Sequence, residues 1–277
     1  MNISGFTIVR NAVKYNYPVI ASISSILPVC DEFIVNVGDS EDGTLDLVRS
    51  IKSPKIRIIE IPWNMAQGPA VLSEQTNVAL RHCTGDWAFY VQSDEVIHEA
   101  DLPRLKRCMR QYLNDPAVDA LRFKWLHFYG SFWRYRIDAG WYQKQDRIIR
   151  NNGSIESLGD AFGFRRKDGR PLQSRQTQCL LYHYGWVNSV EDMSRRSENA
   201  AQIGYGDTHK SGACGYGDLN RFPTYFGTHP AVMSGIIARH ALSREDRQTV
   251  QQRYWWHPLR LLRLRYKTGR RVGHRIK

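Results

Sequence analysis

The stretch Glu32–Ile61, EFIVNVGDSEDGTLDLVRSIKSPKIRIIEI, decides the fold. Glu32–Val37 is a short β-rich run, Thr44–Ile51 has the spacing of a short helix, and Lys55–Ile61 alternates as a strand. Strand, loop, helix and strand in this order make a βαβ unit, which calls for a parallel sheet. Upstream, Gly5–Val9 is a strand, and Val19, Ile20, Ile23, Ile26 and Leu27 fall at helical spacing until Pro28 stops the helix. Downstream, Val71–His82 is helical through Leu72, Gln75, Val78 and Ala79, and Trp87–Val91 (WAFYV) has the unbroken apolar character of a buried strand. A helix from Pro103 to about Asn114 and a long aromatic strand, Ala120–Tyr129, follow. Beyond residue 130 the pattern loosens, and the Gly- and Tyr-rich stretch Tyr205–Thr228 has the composition of a substrate-covering loop. The expected class is α/β: a Rossmann-like, mostly parallel central sheet flanked by helices.

A chain of 277 residues is long enough for one large domain of this class. With 42% hydrophobic and 24% charged residues, it is neither disordered nor fibrous in composition. The start, MNISGFTIVRN, lacks a cationic segment followed by an apolar run, and eighteen consecutive apolar residues occur nowhere, so a cytoplasmic protein is expected. Cys30, Cys83, Cys108, Cys179 and Cys214 form no CxxC pair and are odd in number, which points to reduced thiols.

The net charge of +12 is unevenly placed. Ten Lys/Arg and no Asp/Glu lie between Arg247 and Lys277, leaving residues 1–246 with +2. That separates a domain, 1–246, from a basic C-terminal helical tail, 247–277. A nearly neutral body excludes nucleic acid as a partner, because phosphate contacts need a basic face. The tail interleaves Trp255, Trp256, Leu259, Leu262 and Leu264 with arginines, the mixture of an interfacial segment, so an anionic membrane surface is the expected partner and the inner face of the membrane the expected place.

In open α/β sheets, ligands bind beyond the carboxyl ends of the parallel strands. Arg10 and Asn11 follow the first strand, Gly38–Gly43 the second, and Gln92, Ser93, Asp94 and Glu95 the fourth. Asp42, just before a helix, also suits a turn and helix cap.

Three segments in their order and spacing, VNVGDSEDGTLDLV (Val35–Val48), TGDWAFYVQSDEV (Thr84–Val96) and YHYGWV (Tyr182–Val187), resemble the inverting family 2 glycosyltransferases. The resemblance implies a GT-A fold and a nucleotide-sugar donor, UDP-sugar favoured. It also implies a glycan or lipid-linked acceptor, in cell-surface polysaccharide or lipopolysaccharide biosynthesis. In such enzymes acids after the second strand and before the fourth contact the nucleoside; Asp39 and Asp86 occupy those regions here, although Asp39 stands further from its strand than the family pattern. The family's Asp-x-Asp element holds Mn²⁺ or Mg²⁺ on the donor diphosphate, and here it reads Gln92, Ser93, Asp94. Asp94 is therefore the implied metal ligand, with His183 completing the site, while Arg10, Asn11, Gln92 and Ser93 line the donor.

An inverting transfer needs a carboxylate to take the acceptor proton. Asp160 in GDAFGF is the first candidate and Glu156 the second, and Arg147 and Arg150 just upstream offer guanidinium forks for a diphosphate. Two rival readings stand beside this one. A sugar-phosphate nucleotidyltransferase would carry a Gly-rich loop after the first strand, where this chain has NAVKYNYP. An inactive GT-A domain or membrane-surface adaptor would account for Gln92 in place of an acid.

Overall fold

Strand β1 (Ile3–Val9) is buried at every residue, as a strand covered on both faces must be. It pairs in parallel with β2 (Glu32–Val37) and with β4 (Trp87–Tyr90), and β2 pairs in parallel with β3 (Ile56–Glu60). The computed structural model describes residues 1–138, 140–205 and 215–240. The basic tail 247–277 and Cys214 lie outside the described residues; the other four cysteines are free thiols.

The crossovers are helical where the apolar spacing placed them: α1 (Val19–Ile26), α2 (Thr44–Arg49) and α3 (Ala70–Arg81). Helix α1 buries Val19, Ile23 and Ile26, and Pro28 confines the continuation to one short 3₁₀ turn, Leu27–Val29. Two of its three serines also set the site. The Ser22 hydroxyl donates to the Gln92 carbonyl at 2.6 Å, and Ser25 Oγ accepts from the Ile97 amide at 3.1 Å, so the helix grips both ends of the segment that carries Asp94. That segment turns into the short strand β5 (Glu95–Ile97), and α4 (Leu102–Gln111) follows.

The sheet then continues past β4. Strand β6 (Ala120–Tyr129) carries the two-residue β7 (Tyr135–Arg136) on its edge, and β8 (Lys144–Arg150) lies between β4 and β6. A hairpin of β9 (Ile155–Leu158) and β10 (Gly163–Arg166) stands apart. The last and longest strand, β11 (Ser174–Trp186), pairs in parallel with β6 and antiparallel with β5. The order is β3-β2-β1-β4-β8-β6-β11-β5. Six strands (β1, β2, β3, β4, β6 and β11) run one way and β5, β7 and β8 the other, so the sheet is mixed but mostly parallel, with helices against its faces.

Helix α5 (Val190–Ile203) is capped by the Ser189 hydroxyl, which accepts from the Asp192 amide, and ends at left-handed Gly204. A short helix, α6 (Ser234–Arg239), closes the described chain. Two apolar clusters, around Phe33, Trp87 and Phe89 and around Phe6, Ile34 and Tyr90, fill the layers beside the parallel half. A third, rich in aromatic rings around Phe128, Tyr182 and Tyr184, supports the β6–β11 half.

Candidate functional site

The carboxyl ends of β1 and β4 open into a cleft of about 370 Å³, a volume within the usual range for small-molecule sites. One wall is Ile8–Arg10 and Gln92–Asp94, and the opposite one is Asp160, His183 and the α5 residue Arg196. A second depression, of about 490 Å³, runs along α3 and β9, and none of its lining residues follows a parallel strand.

Asp94 is half-buried in the cleft, its side chain 15% exposed, with Oδ2 at 3.7 Å from His183 Nε2. Burial pushes its carboxyl above the ordinary value, opposed by the charge of Arg196. Burial likewise pushes the His183 imidazole down to about 4, so it is neutral at pH 7. A carboxylate held out of water and a neutral imidazole, facing each other, make a donor pair suited to a divalent cation, hard enough for Mg²⁺ and borderline enough for Mn²⁺. Gly185 keeps the space between them open: a Cβ there would lie 2.6 Å from Asp94 Oδ2 and 2.7 Å from His183 Nε2. The pair fits an ion as two ligands. Among the described residues, no group of three or more His, Cys, Asp or Glu side chains is arranged to hold one.

Other expected residues sit around this pair in different roles. Arg10 Nε donates to Asp39 Oδ1 at 3.3 Å, and Asp39 also accepts from the Trp63 amide, which ties the ends of β1 and β2 together at the cleft rim. Asn11 is buried with a positive φ of 52°; its side chain accepts from the Glu41 amide, so it shapes the loop from within. The Gln92 side-chain amide donates to the Ala161 carbonyl at 3.2 Å, and the Ser93 hydroxyl donates to the Ile8 carbonyl at 3.2 Å. Asp160 lines the cleft, and the Tyr205 hydroxyl donates to its Oδ2 at 3.0 Å. Asp42 accepts from the Thr44 amide in the turn before α2, whose cap position is Gly43.

Four expected residues are elsewhere. Asp86 precedes β4, at the amino end of the strand, and its carboxylate accepts from the amide of Asn2, before the start of β1. That is the opposite edge of the sheet, roughly 20 Å along β1 from the cleft at about 3.3 Å per residue. Arg150 lies at the same far edge, where its guanidinium donates to the carbonyls of Tyr112, Leu113, Asp115 and Val118 and stacks on the Trp87 ring. Arg147 is fully buried in an ion pair with Glu95 at 2.7 Å and presents no guanidinium edge to the cleft. Glu156 lies on the separate hairpin, paired with Arg165 at 2.8 Å, and lines the second depression.

Two residues that sequence reasoning passed over, one lining the cleft and one behind His183, support it. Arg196 donates to the carbonyls of Tyr15, Asn16 and Gly185 and lies 4.0 Å over the Tyr17 ring, fastening the 11–17 loop to the end of β11. His127, opposite His183 in the β6–β11 register, places Nδ1 3.0 Å from His183 Nδ1. The aromatic-flanked histidines of LHF (Leu126–Phe128) and YHY (Tyr182–Tyr184), which pair in register, were the available signal for this pair; Arg196, inside a polar helix, had none.

The model for glycosyl transferase family 2 matches residues 6–170. No curated protein sequence matches the chain. Among solved structures, the chain is similar to S. aureus TarS 1-349 in complex with UDP, with a TM-score of 0.46 and 17% identity over 76% of this chain and 68% of that one. It is also similar to glucosyl-3-phosphoglycerate synthase from Mycobacterium tuberculosis in complex with Mn²⁺, UDP-glucose and phosphoglyceric acid, with a TM-score of 0.34 and 22% identity over 45% of this chain and 44% of that one.

Proposed function

Because the chain belongs to glycosyl transferase family 2, we propose that it transfers a sugar from a nucleotide-sugar donor, UDP-sugar favoured, to a hydroxyl of a glycan or lipid-linked acceptor with inversion. The mixed, mostly parallel sheet with flanking helices is the GT-A architecture. The observation that carries the reading is the convergence of Asp94, His183, Asp160 and Arg10 on one cleft at the carboxyl ends of β1 and β4.

In this reading the diphosphate lies against Asp94 and His183, with the Arg10–Asp39 rim beside the nucleoside. Asp94 and His183 would hold a Mn²⁺ or Mg²⁺ ion, which when bound would supply charge neutralisation for the departing nucleoside diphosphate. Asp160 takes the proton of the acceptor hydroxyl as its oxygen bonds to the anomeric carbon. The bond from that carbon to the diphosphate oxygen breaks in the same displacement, and the nucleoside diphosphate leaves with the electron pair. Gln92 holds the loop of the base in place, which gives a role to the residue standing where the family carries its first acid.

The test is thermal stabilisation of the purified chain by UDP-, GDP-, CMP- and dTDP-sugars with and without Mn²⁺. A donor at one hundred times its Kd adds about 2.7 kcal/mol to the folded state, a rise of several degrees for a chain of this size. Metal-dependent stabilisation by one nucleotide, absent from Asp94→Asn, is the expected result; no response to any nucleotide sugar would overturn the reading. Gly185→Ala gives a finer check. Its methyl would fall between Asp94 and His183, so the metal-dependent part of the stabilisation should vanish while the metal-free melting temperature changes by only a few degrees.

Residues 1–246 are proposed as the transferase domain and 247–277 as a segment that binds anionic lipid. Among the described residues no helix is long and apolar enough to cross a membrane. The 277-residue chain should co-sediment with phosphatidylserine vesicles at low salt and a chain ending at Asp246 should not; equal sedimentation would remove the tail's assigned role.

A further inference from the structure

Strands β6 and β11 run parallel with His127 opposite His183, so the two imidazoles stand on the same face of the sheet. Their Nδ1 atoms are 3.0 Å apart, a hydrogen-bond distance. At that distance only one of the two nitrogens can carry a proton, since two N–H groups would point into each other. Which one carries it is decided on the far side of His127. There Nε2 lies 2.7 Å from the Tyr142 carbonyl oxygen, and a carbonyl can only accept. His127 Nε2 is therefore protonated, and its Nδ1 is left as a lone pair. His183 must then donate from Nδ1, and its own Nε2, turned toward Asp94, bears the free lone pair.

We propose that His127 is a positioning residue that fixes the tautomer of His183, so that Nε2 is presented unprotonated to a divalent cation shared with Asp94; this rests on the donor-site reading above. The chain of donors runs in one direction, from His183 Nδ1–H to His127 Nδ1 and from His127 Nε2–H to the Tyr142 carbonyl. It starts from a backbone acceptor that cannot be reversed. The ring of Trp125 lies parallel to that of His183 at 5.2 Å and edge-on to that of His127 at 4.5 Å, which holds both imidazoles in the planes the chain requires. Without His127 the His183 imidazole is free to adopt the other tautomer, in which Nε2–H points at Asp94 and competes directly with a metal ion. Partners of this kind behind a metal-ligating histidine change affinity by about 10- to 100-fold.

Two measurements decide the proposal. In the metal-free protein at neutral pH, long-range ¹H–¹⁵N correlation of the histidine side chains should show His183 protonated at Nδ1 and His127 at Nε2; His183 protonated at Nε2 would overturn the proposal without reference to any enzymatic activity. Mn²⁺ titration followed by electron paramagnetic resonance, in the presence of UDP, should then show affinity falling about 10- to 100-fold in His127→Leu. His127→Asn, whose side-chain oxygen can stand in for the Nδ1 acceptor, should restore most of it. Equal Mn²⁺ affinity for wild type and His127→Leu would sink the proposal, and so would a loss in His127→Asn as large as in His127→Leu with both proteins folded. Wild type that takes up no Mn²⁺ would defeat the donor-site reading and with it the metal half of this proposal, a result distinct from a wrong tautomer.

Discussion

Asp160→Asn is expected to lower kcat by about 10²- to 10⁴-fold, the contribution of a positioned general base, while leaving metal-dependent stabilisation by the donor nearly intact. The carboxylate stands in the cleft on a turn whose backbone is unusual. Gly159 has a φ of 60° and Ala161 a φ of 61°, and the second is a conformation that costs an alanine energy unless its surroundings impose it. Those surroundings are visible: Ala161 is 1% exposed, and its carbonyl accepts from the Gln92 side chain, which emerges beside Asp94. The loop bearing the proposed base is thus tied directly to the loop bearing Asp94. Tyr205 donates to Oδ2, so the acceptor proton is expected at Oδ1. An asparagine keeps the shape and the Tyr205 contact but cannot take a proton. The measurement is steady-state transfer with the donor found by thermal stabilisation, for Asp160→Asn beside Glu156→Gln. Glu156 faces the other depression in its pair with Arg165, so its variant should retain activity within a few-fold. Loss in Glu156→Gln with Asp160→Asn unaffected would reverse the assignment of the base.

The sequence carried the parallel half of the sheet almost residue by residue. Glu32–Val37 and Ala120–Tyr129 are strands at the bounds expected from their apolar runs, and α1 through α4 fall within a few residues of theirs. Buried parallel strands must be continuously apolar, and crossover helices need one apolar stripe, so the two periods separate cleanly there. The same signal fails after residue 130. Strand β11 begins SRQTQ, half exposed and polar, and its pairing with β6 is interrupted where Gln178 takes a φ of 59°, a bulge that breaks the alternation. Helix α5 buries only Met193, Arg196, Ser197 and Ile203, so its stripe is too polar to stand out, yet it supplies one wall of the cleft.

Charge was the other place where residue type misled. Asp94 and Asp160 both line the cleft, but a guanidinium in a sequence reads the same whether it will meet a phosphate, a row of carbonyls or a buried carboxylate. Arg150 and Arg147 took the second and third of these environments. Asp86 shows the directional rule at work: an acid before a parallel strand lies at the amino edge, away from the crevice at the carboxyl ends.

The buried ion pair itself supports the last prediction, that Arg147→Met destabilises the fold by about 3–5 kcal/mol. Arg147 and Glu95 are both 0% exposed in their side chains. Arg147 Nε donates to Glu95 Oε2 at 2.8 Å and its second amino nitrogen donates to Oε1 at 2.7 Å, a two-pronged contact that leaves little lone-pair capacity unmet. The remaining oxygen capacity goes to the Gln92 amide, at 3.0 Å from Oε2, and Arg147 also donates to the Phe162 carbonyl at 3.0 Å. The rings of Tyr90 and Trp125 lie 5.5 and 5.3 Å from the guanidinium carbon and cover it. Methionine fills much of the volume but leaves a carboxylate in a fully buried site, and the cost of that unpaired charge outweighs the modest net gain of the pair itself. Chemical denaturation should therefore show a lower midpoint with an unchanged slope. The double variant Arg147→Met/Glu95→Leu should recover a large part of the loss, because both charges are then removed together. A loss below about 1 kcal/mol in the single variant would mean that Glu95 is reached by water or protonated there. The pair also spans Gln92 and Phe162, which flank Asp94 and Asp160 in sequence, so the recovered double variant should regain stability before it regains transfer.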